Sequence, residues 1–467
     1  MAKQETPFIG GAYEARDKNL NAQLCQNLYV EIDQSGAKNI IALVNTPGTV
    51  TWYDPGYFGE VRALHIFKTK LYAVIGARLY RINPDGEGTL VGTLTNSTGY
   101  ARMEDNSVDL MVLDNNLGYV WNGATLTQIA DTDFPDASGL TFQDGYFMVS
   151  KTGTDELYPS DADDPTSWDP TQVIAKEGKS DPLVLPYMAL RLVWLFGTVT
   201  ADILYNAGVG TFPFTRATGG FVEIGLGAKR SVDDLEGVIF FLDHKFRVCQ
   251  ASGISYKPVS TYQIDYQIER LAKKDDAIGF CYTQEGHSFY QITFPTDSKT
   301  FVYDITTGFW HTRASGELDK RERANCHIRF AEKELVGDFE NGKIYYYDLA
   351  TYTDNGDVKR AIRSAQAVNK NRRWVRHHHF ELEIETGSHL STGQGSDPQI
   401  MMQYSDDNGT TWSAELWRSM GKIGEKGIVV RWNKLGGSRD RIYKIVIADP
   451  VRREITNCYL DGSAGRS

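Results

Sequence analysis

The sequence predicts an all-β chain: a β-propeller of six or seven blades, with seven favoured, and a C-terminal β-sandwich. Three observations carry this. Short apolar runs alternate with polar turns along most of the chain, the period-two signal of strands. An aromatic residue recurs near the end of each hairpin-like run, at Tyr80, Tyr119, Tyr158, Tyr205, Phe246, Tyr303 and Tyr346, at intervals of 39, 39, 47, 41, 57 and 43 residues. Four-stranded blades repeat at about 40 to 50 residues. Past residue 370 this repeat stops and a different alternation begins. A pair of ordinary β-sandwiches is the alternative, since alternation within the segments supports strands in either case.

The elements follow in order. Residues 1–60 form an N-terminal extension expected to help close the ring. Their opening, "MAKQETPFIGGAYEARDKN", has no apolar run and is not read as a signal peptide. The propeller is assigned to 61–352. "VRALHIFKTKLYAVIGARLYRINPDG" (61–86) reads as two or three short strands, and the plan returns in 108–123, 139–160, 189–208, 235–253, 277–313 and 324–352. Each small sheet is too short to bury both faces alone, so radial packing protects them. "SGELDKRERANC" (315–326) reads as a short helix or a charged loop. Residues 353–370, "TDNGDVKRAIRSAQAVNK", are expected to link the two units, and 371–467 to form the sandwich. There Phe380, Leu382 and Ile384 face one way along a strand, and Glu381, Glu383 and Glu385 the other. "QIMMQYSDDNGTTWS" and "RIYKIVIADPVRREITNCYLD" continue an antiparallel pattern, and the tail "GSAGRS" is expected to be loose.

Composition narrows the function classes. The net charge of −11 makes a poor DNA-wrapping surface, because phosphates select Lys and Arg. The five cysteines are odd in number and form no C-x-x-C pair, which argues against a disulfide framework. No run of eighteen apolar residues occurs, so no membrane-spanning helix is expected.

Four stretches carry candidate chemistry. "YSDDNGTTWS" (404–413) contains Ser405-x-Asp407-x-Gly409-x-Thr411-Trp412, the Asp-box pattern of sialidases and other propeller-like proteins. A sialidase commonly uses a Tyr nucleophile and gathers arginines around the substrate carboxylate. Arg62, Arg102, Arg191 and Arg247 are candidates, but no spacing unites them. The box occurs once, outside the repeats, and reads as a hairpin turn fastened by Asp407, Gly409 and Trp412. His377 and His379 would share a strand face with Glu381, a possible divalent ligand set; exposed or interfacial strand histidines are the plainer reading. Asp161, Asp163 and Asp164 resemble a loose calcium loop without the EF-hand positions. They read as a surface loop or an outward arm anchored by Trp168. "NKNRRWVRHHH" (369–379) sets Arg372, Arg373 and Arg376 around Trp374, which suits either a nucleic-acid strand or a buried Trp beneath a solvated basic face. "GGSRDRIYK" (436–444) is equally ambiguous. No P-loop, dinucleotide fingerprint, zincin motif or nucleophile elbow is present. No catalytic, cofactor-binding or metal residue is therefore assigned, no cofactor is expected, and the chain reads as a non-enzyme.

The whole pattern resembles the P22-like tail hub proteins of short-tailed bacteriophages, also called packaged DNA stabilization proteins or tail accessory factors. The likeness is carried by Asn27 to Val30, similar to the family's opening N-x-Y/L-V element, and by the Thr46-Pro47-Gly48 turn. It continues in the "LY" beside glycine within 61–82, the Asp-rich arm 154–170 and the C-terminal strands. The resemblance implies a virion protein made in the host cytoplasm. It implies a six-fold ring that joins portal and adaptor proteins to tailspikes and tail needle, retains packaged DNA and forms part of the ejection channel, without sequence-specific recognition of the DNA. Two alternatives remain: a carbohydrate-binding or sialidase-like virion protein, and a non-viral propeller adaptor.

Overall fold

The computed structural model describes residues 4–5, 7–18, 21–33, 40–210, 212–365, 368–369, 373–388 and 390–465. Seven small antiparallel sheets follow one another, starting at residues 61, 101, 137, 183, 233, 278 and 324. The first strand of blade 1, Val61–Phe67, packs against those of blade 2 (Ala101–Asp105) and blade 7 (Ala324–Phe330), so the ring is closed. Burial changes across a blade as radial packing requires. Leu110–Asp114, a second strand, is buried at every position, whereas Ser255–Pro258, a fourth strand, is exposed at every position.

The apolar clusters count the blades independently. Seven of them each join two neighbouring blades. One example holds Phe67, Tyr72 and Leu79 of blade 1 against Met103, Val112 and Trp121 of blade 2. An eighth fills the sandwich around Phe380, Met402, Trp432 and Tyr443. At roughly 25 cal/mol per Å² of apolar surface removed from water, such clusters are the main force holding a ring of small sheets together.

The aromatic spacing has a structural meaning. Tyr80, Tyr119, Tyr158, Tyr205, Tyr303 and Tyr346 all lie on the third strand of their blades. Phe246 sits one step earlier, in the turn before Val248–Ser252. The long interval after it holds the helix Tyr262–Glu269, which buries Ile264 and Ile268 against blades 5 and 6. Residues 315–326 form a turn-rich loop that gives way to a strand at Ala324.

Both chain ends build the C-terminal sheets. Leu28–Ile32 and Ile41–Asn45 extend the sheet of Val375–Ile384 and Glu454–Ala464. Residues 353–370, expected as a linker, carry strands: Thr353–Asp354 pairs with Gly48–Tyr53, and Ala361–Ser364 enters the second sandwich sheet. Between them runs a continuous ladder. Trp310–Arg313 of blade 6 pairs with Cys25–Gln26, which pairs with Ala361–Ser364, then Asp440–Ile447, Gln399–Ser405 and Leu416–Ser419. Blade 6 and one sandwich layer are thus a single ten-stranded sheet.

Gly48–Tyr53 is the fourth strand of blade 7, antiparallel to Ile344–Asp348. Gly48 is held tightly there. Its N–H donates to the Thr351 carbonyl at 2.9 Å, and a Cβ on it would lie 2.4 Å from that oxygen and 2.6 Å from the Thr353 carbonyl oxygen. Neither backbone group can swing aside as a flexible side chain would. Gly48→Ala is therefore expected to lower stability by about 1–3 kcal/mol, read as a lowered urea midpoint. An unchanged midpoint would refute the close approach.

Candidate functional site

The crossing between propeller and sandwich is a dense polar construction. Backbone that leaves a regular ladder must find other partners, since a buried unpaired amide is costly. Asn27, fully buried with φ +54°, supplies them. Its Nδ2 donates to the Ala314 and Arg360 carbonyls at 2.9 and 2.8 Å, and its Oδ1 accepts from the Ala314 N–H at 3.1 Å. Its own N–H donates to the Thr312 carbonyl and its carbonyl accepts from Thr46. Lys359, also buried, donates to the Pro47 carbonyl and lies 3.4 Å from Asp354. Arg363 reaches the carbonyls of Phe8, Gly11 and Leu24 and the Gln23 side chain. The Asn27 element and the Thr46-Pro47-Gly48 turn, which looked like two separate signatures, meet here. Tyr29 completes the junction by packing on His287, Phe289 and His311.

The Asp box is a turn. It joins Gln399–Ser405 to Leu416–Ser419, an antiparallel pair. Asp407 accepts from the Thr411 N–H and hydroxyl at 2.8 and 2.6 Å and from the Ser405 hydroxyl at 2.7 Å. The Gly409 N–H donates to Ser405 Oγ at 2.7 Å, and Asn408 and Gly409 take φ of +61° and +77°. The Thr411 and Ser405 hydrogen bonds hold the Asp407 carboxyl down to about 2. Lys444 lies 4.0 Å above the half-buried Trp412 ring. The carboxylate is consumed by its own loop, which leaves no acid–base pair.

The histidines do not share a face. The register of Val375–Ile384 against Glu454–Ala464 shifts between His377 and His379, and such a bulge reverses the side-chain alternation beyond it. His377 points into the sandwich, between Ser438 Oγ (3.0 Å) and the Tyr443 hydroxyl (2.9 Å). His379 faces outward beside Asp461 at 3.6 Å, and Glu381 pairs with Arg431. The expected ligand set is therefore split across the sheet. Among the described residues no group of three or more His, Cys, Asp or Glu is arranged to hold a metal.

The other candidates separate as well. Arg62 is buried on Asp114 at 2.7 Å, Arg102 pairs with Glu104, Arg191 with Asp144 and Arg247 with Asp243. In the acidic segment, Asp161 and Asp164 close a hairpin; Asp164 caps Thr166, and Ser167 donates to Asp161. Trp168 is not an exposed contact residue. It is 4% exposed, packed edge-on to Phe134 in the core between blades 2 and 3. Trp374, by contrast, is 53% exposed rather than buried, with exposed Arg373 and Arg376 beside it; Arg372 lies outside the described residues. In 436–444, Arg439 is exposed whereas Arg441 is buried on Asp406.

One recurring device escaped the sequence reading. An aspartate closes the second strand of three blades: Asp114, Asp243 and Asp338, each buried and paired to an arginine, at 2.7, 2.6 and 2.6 Å. Asp243 and Asp338 also accept N–H groups of the turn that follows. The signal was present as Asp after an apolar run in "VLD", "FLD" and "VGD", at one place in the repeat.

Two outcomes are expected. Asp407→Ala loosens the 405–412 turn, read as faster amide exchange there, while the propeller amides keep their protection; unchanged exchange in the turn would count against it. Burial holds the His377 imidazole down to about 4, from an ordinary 6.5. Below pH 6.5 the unfolded chain takes up a proton that the folded chain refuses until about pH 4, so stability falls with pH across that window and is whole above it. His377→Gln removes this slope. Between pH 6.5 and 4 it should lose roughly 2–3 kcal/mol less than the wild type, and parallel urea-midpoint curves would refute the assignment.

Comparison with known proteins fits this architecture. The family model described as bacteriophage P22 Gp10, beta-propeller, matches residues 4–352, and that described as bacteriophage P22 Gp10, beta-sandwich, matches 361–463. No curated protein matches the chain. Similar solved structures include the Pan2 WD40 domain of Neurospora crassa (10% identity, TM-score 0.42, covering 65% of this chain and 95% of that one). Another is a quinonprotein alcohol dehydrogenase-like protein of Bacteroides thetaiotaomicron (8%, 0.36, 63% and 68%). A third is the extracellular domain of a putative one component system from the same organism (10%, 0.42, 92% and 62%). With family models covering both its propeller and its sandwich, the chain belongs to the bacteriophage P22 Gp10 family of phage structural proteins.

Proposed function

We propose that this chain is the tail hub of a short-tailed phage. In this reading its copies form a closed ring, six-fold as the resemblance implies, that joins portal and adaptor proteins to tailspikes and tail needle. The ring retains packaged DNA and forms part of the ejection channel. The observation that carries the reading is the family match over both modules, residues 4–352 and 361–463. The welded junction supports it, because a hub must transmit load between its attachments without a hinge. A ring also needs a heterologous patch that closes by rotation, and a rigid two-module body can present two faces at a fixed angle. The net charge of −11 suits a wall past which DNA slides, since like charge discourages adhesion to phosphates. We further propose that the chain carries no enzymatic activity and acts in the virion after synthesis in the host cytoplasm.

Light scattering on the purified chain, alone and with portal and adaptor complexes, tests this reading together with electron microscopy of particles carrying a tagged copy. The expected result is a label below the portal at fixed multiplicity, with ring formation alone or on the complex. A chain that stays outside virions overturns the hub and favours a propeller adaptor. Hydrolysis of a sialoside, abolished by a single Arg or Tyr substitution, favours the sialidase-like alternative.

A further inference from the structure

The first strands of a closed propeller leave an axial space, and here it forms a cavity of about 330 Å³. Blades 1, 2, 4, 5, 6 and 7 all contribute to its wall, including Arg62, Arg102, Lys229, Arg230 and Asp233. Most of these charges are already matched. Arg62 is spent on Asp114 and on the carbonyls of Gly76, Asn96, Gly99 and Tyr100. Arg102 meets Glu104 at 2.8 Å, and Arg230 meets Glu60 at 3.0 Å. Asp233 accepts from the Cys281 N–H and lies 3.5 Å from the Tyr187 hydroxyl.

Lys229 is different. Its ammonium lies 3.7 Å from the centre of the Tyr100 ring, and among the described residues no carboxylate pairs with it. Burial and the neighbouring Arg230 hold it down to about 8. Asn325 lies on the cavity wall and donates to Glu60. Among the described residues one cation without a carboxylate partner, Lys229, therefore lines the axial cavity of a chain whose net charge is −11.

An unmatched ammonium in a partly desolvated cavity is costly, and a bound anion relieves that cost directly. The cavity volume falls at the small end of ordinary ligand sites. We infer that the axial cavity of the propeller is a binding site for a small oxyanion, a phosphate ester or a carboxylate, received by Lys229 at its wall. Arg102 and Arg230 flank it but keep their own partners. The site stands apart from the proposed ring function and does not depend on it.

Trinitrobenzenesulfonate tests the inference. A neutral lysine amine displaces sulfite from its ring and loses a proton, so at pH 8 a substoichiometric dose should mark Lys229 ahead of exposed lysines such as Lys257, read by peptide mass. Inorganic phosphate or citrate, each set against chloride at equal ionic strength, should suppress that mark selectively. Suppression by phosphate assigns the phosphate class, and suppression by citrate alone assigns carboxylates. Modification of Lys229 that neither anion alters overturns the site. Calorimetry with the protecting anion should show at least roughly tenfold weaker binding to Lys229→Met, equivalent to about 1.4 kcal/mol; unchanged binding to a folded Lys229→Met overturns it as well. If that variant fails to fold, the wild-type protection result decides.

Discussion

A strand edge has to be paired or covered, and this chain settles the edge of blade 6 by continuing the sheet. The fourth strand of blade 6 would present a row of free N–H and C=O groups. Gln26 pairs with Thr312 on that edge, Ala361–Ser364 pairs with Cys25–Gln26 in turn, and the ladder runs on into the sandwich. Everything irregular around that crossing follows from it. Asn27 leaves the ladder in a left-handed conformation and its amide substitutes for two main-chain partners. Buried Lys359 and Arg363 donate chiefly to carbonyl oxygens, because the backbone there has no strand left to bond. Charge in this region serves hydrogen bonding more than ion pairing, which suits groups too buried for solvent to assist.

The propeller uses charge in another way. Asp114, Asp243 and Asp338 each tie off a second strand with an arginine, and Asp243 and Asp338 also bind the N–H groups of the turn. A buried pair contributes little net stability once desolvation is counted. Its stronger effect is to penalise alternatives, since a misregistered hairpin would bury one ion without the other. That complements the interblade clusters, which are strong but indifferent to register.

Local features were legible in the sequence and long-range pairings were not. The tyrosine spacing worked because it marks the third strand of each blade; five of these tyrosines pack in interblade clusters, whereas Tyr205 is 41% exposed and marks its strand without filling such a space. Phe246 departed from the pattern where the helix Tyr262–Glu269 stretches the repeat. The Asp-box turn was readable because its hydrogen bonds close within a few residues. The sandwich membership of Ile41–Asn45, which carries Leu28–Ile32 with it, was not readable, since nothing in five residues names a partner about 400 positions away. The histidine face failed for a subtler reason. Alternation predicts orientation only while register holds, and the bulge between His377 and His379 changes it by one. Trp374 is likewise half exposed although its indole lies close against Gly437, a contact made by tertiary structure.

The woven ends also set an order on synthesis. Leu24 bonds the Ser364 side chain, 340 residues along the chain, and blade 7 is incomplete without Gly48–Tyr53. At about 5–20 residues per second, the earliest strands leave the ribosome tens of seconds before their partners exist. During that interval they are open edges, and a neighbouring nascent chain offers the same complementary strands. Blades 1 to 5 can stack as they emerge, the ring has all its strands once Ile344–Asp348 is made, and the sandwich waits for Glu454–Ala464 at the end. The feature that makes the finished body rigid thus makes its biogenesis vulnerable to exchange of strands between copies.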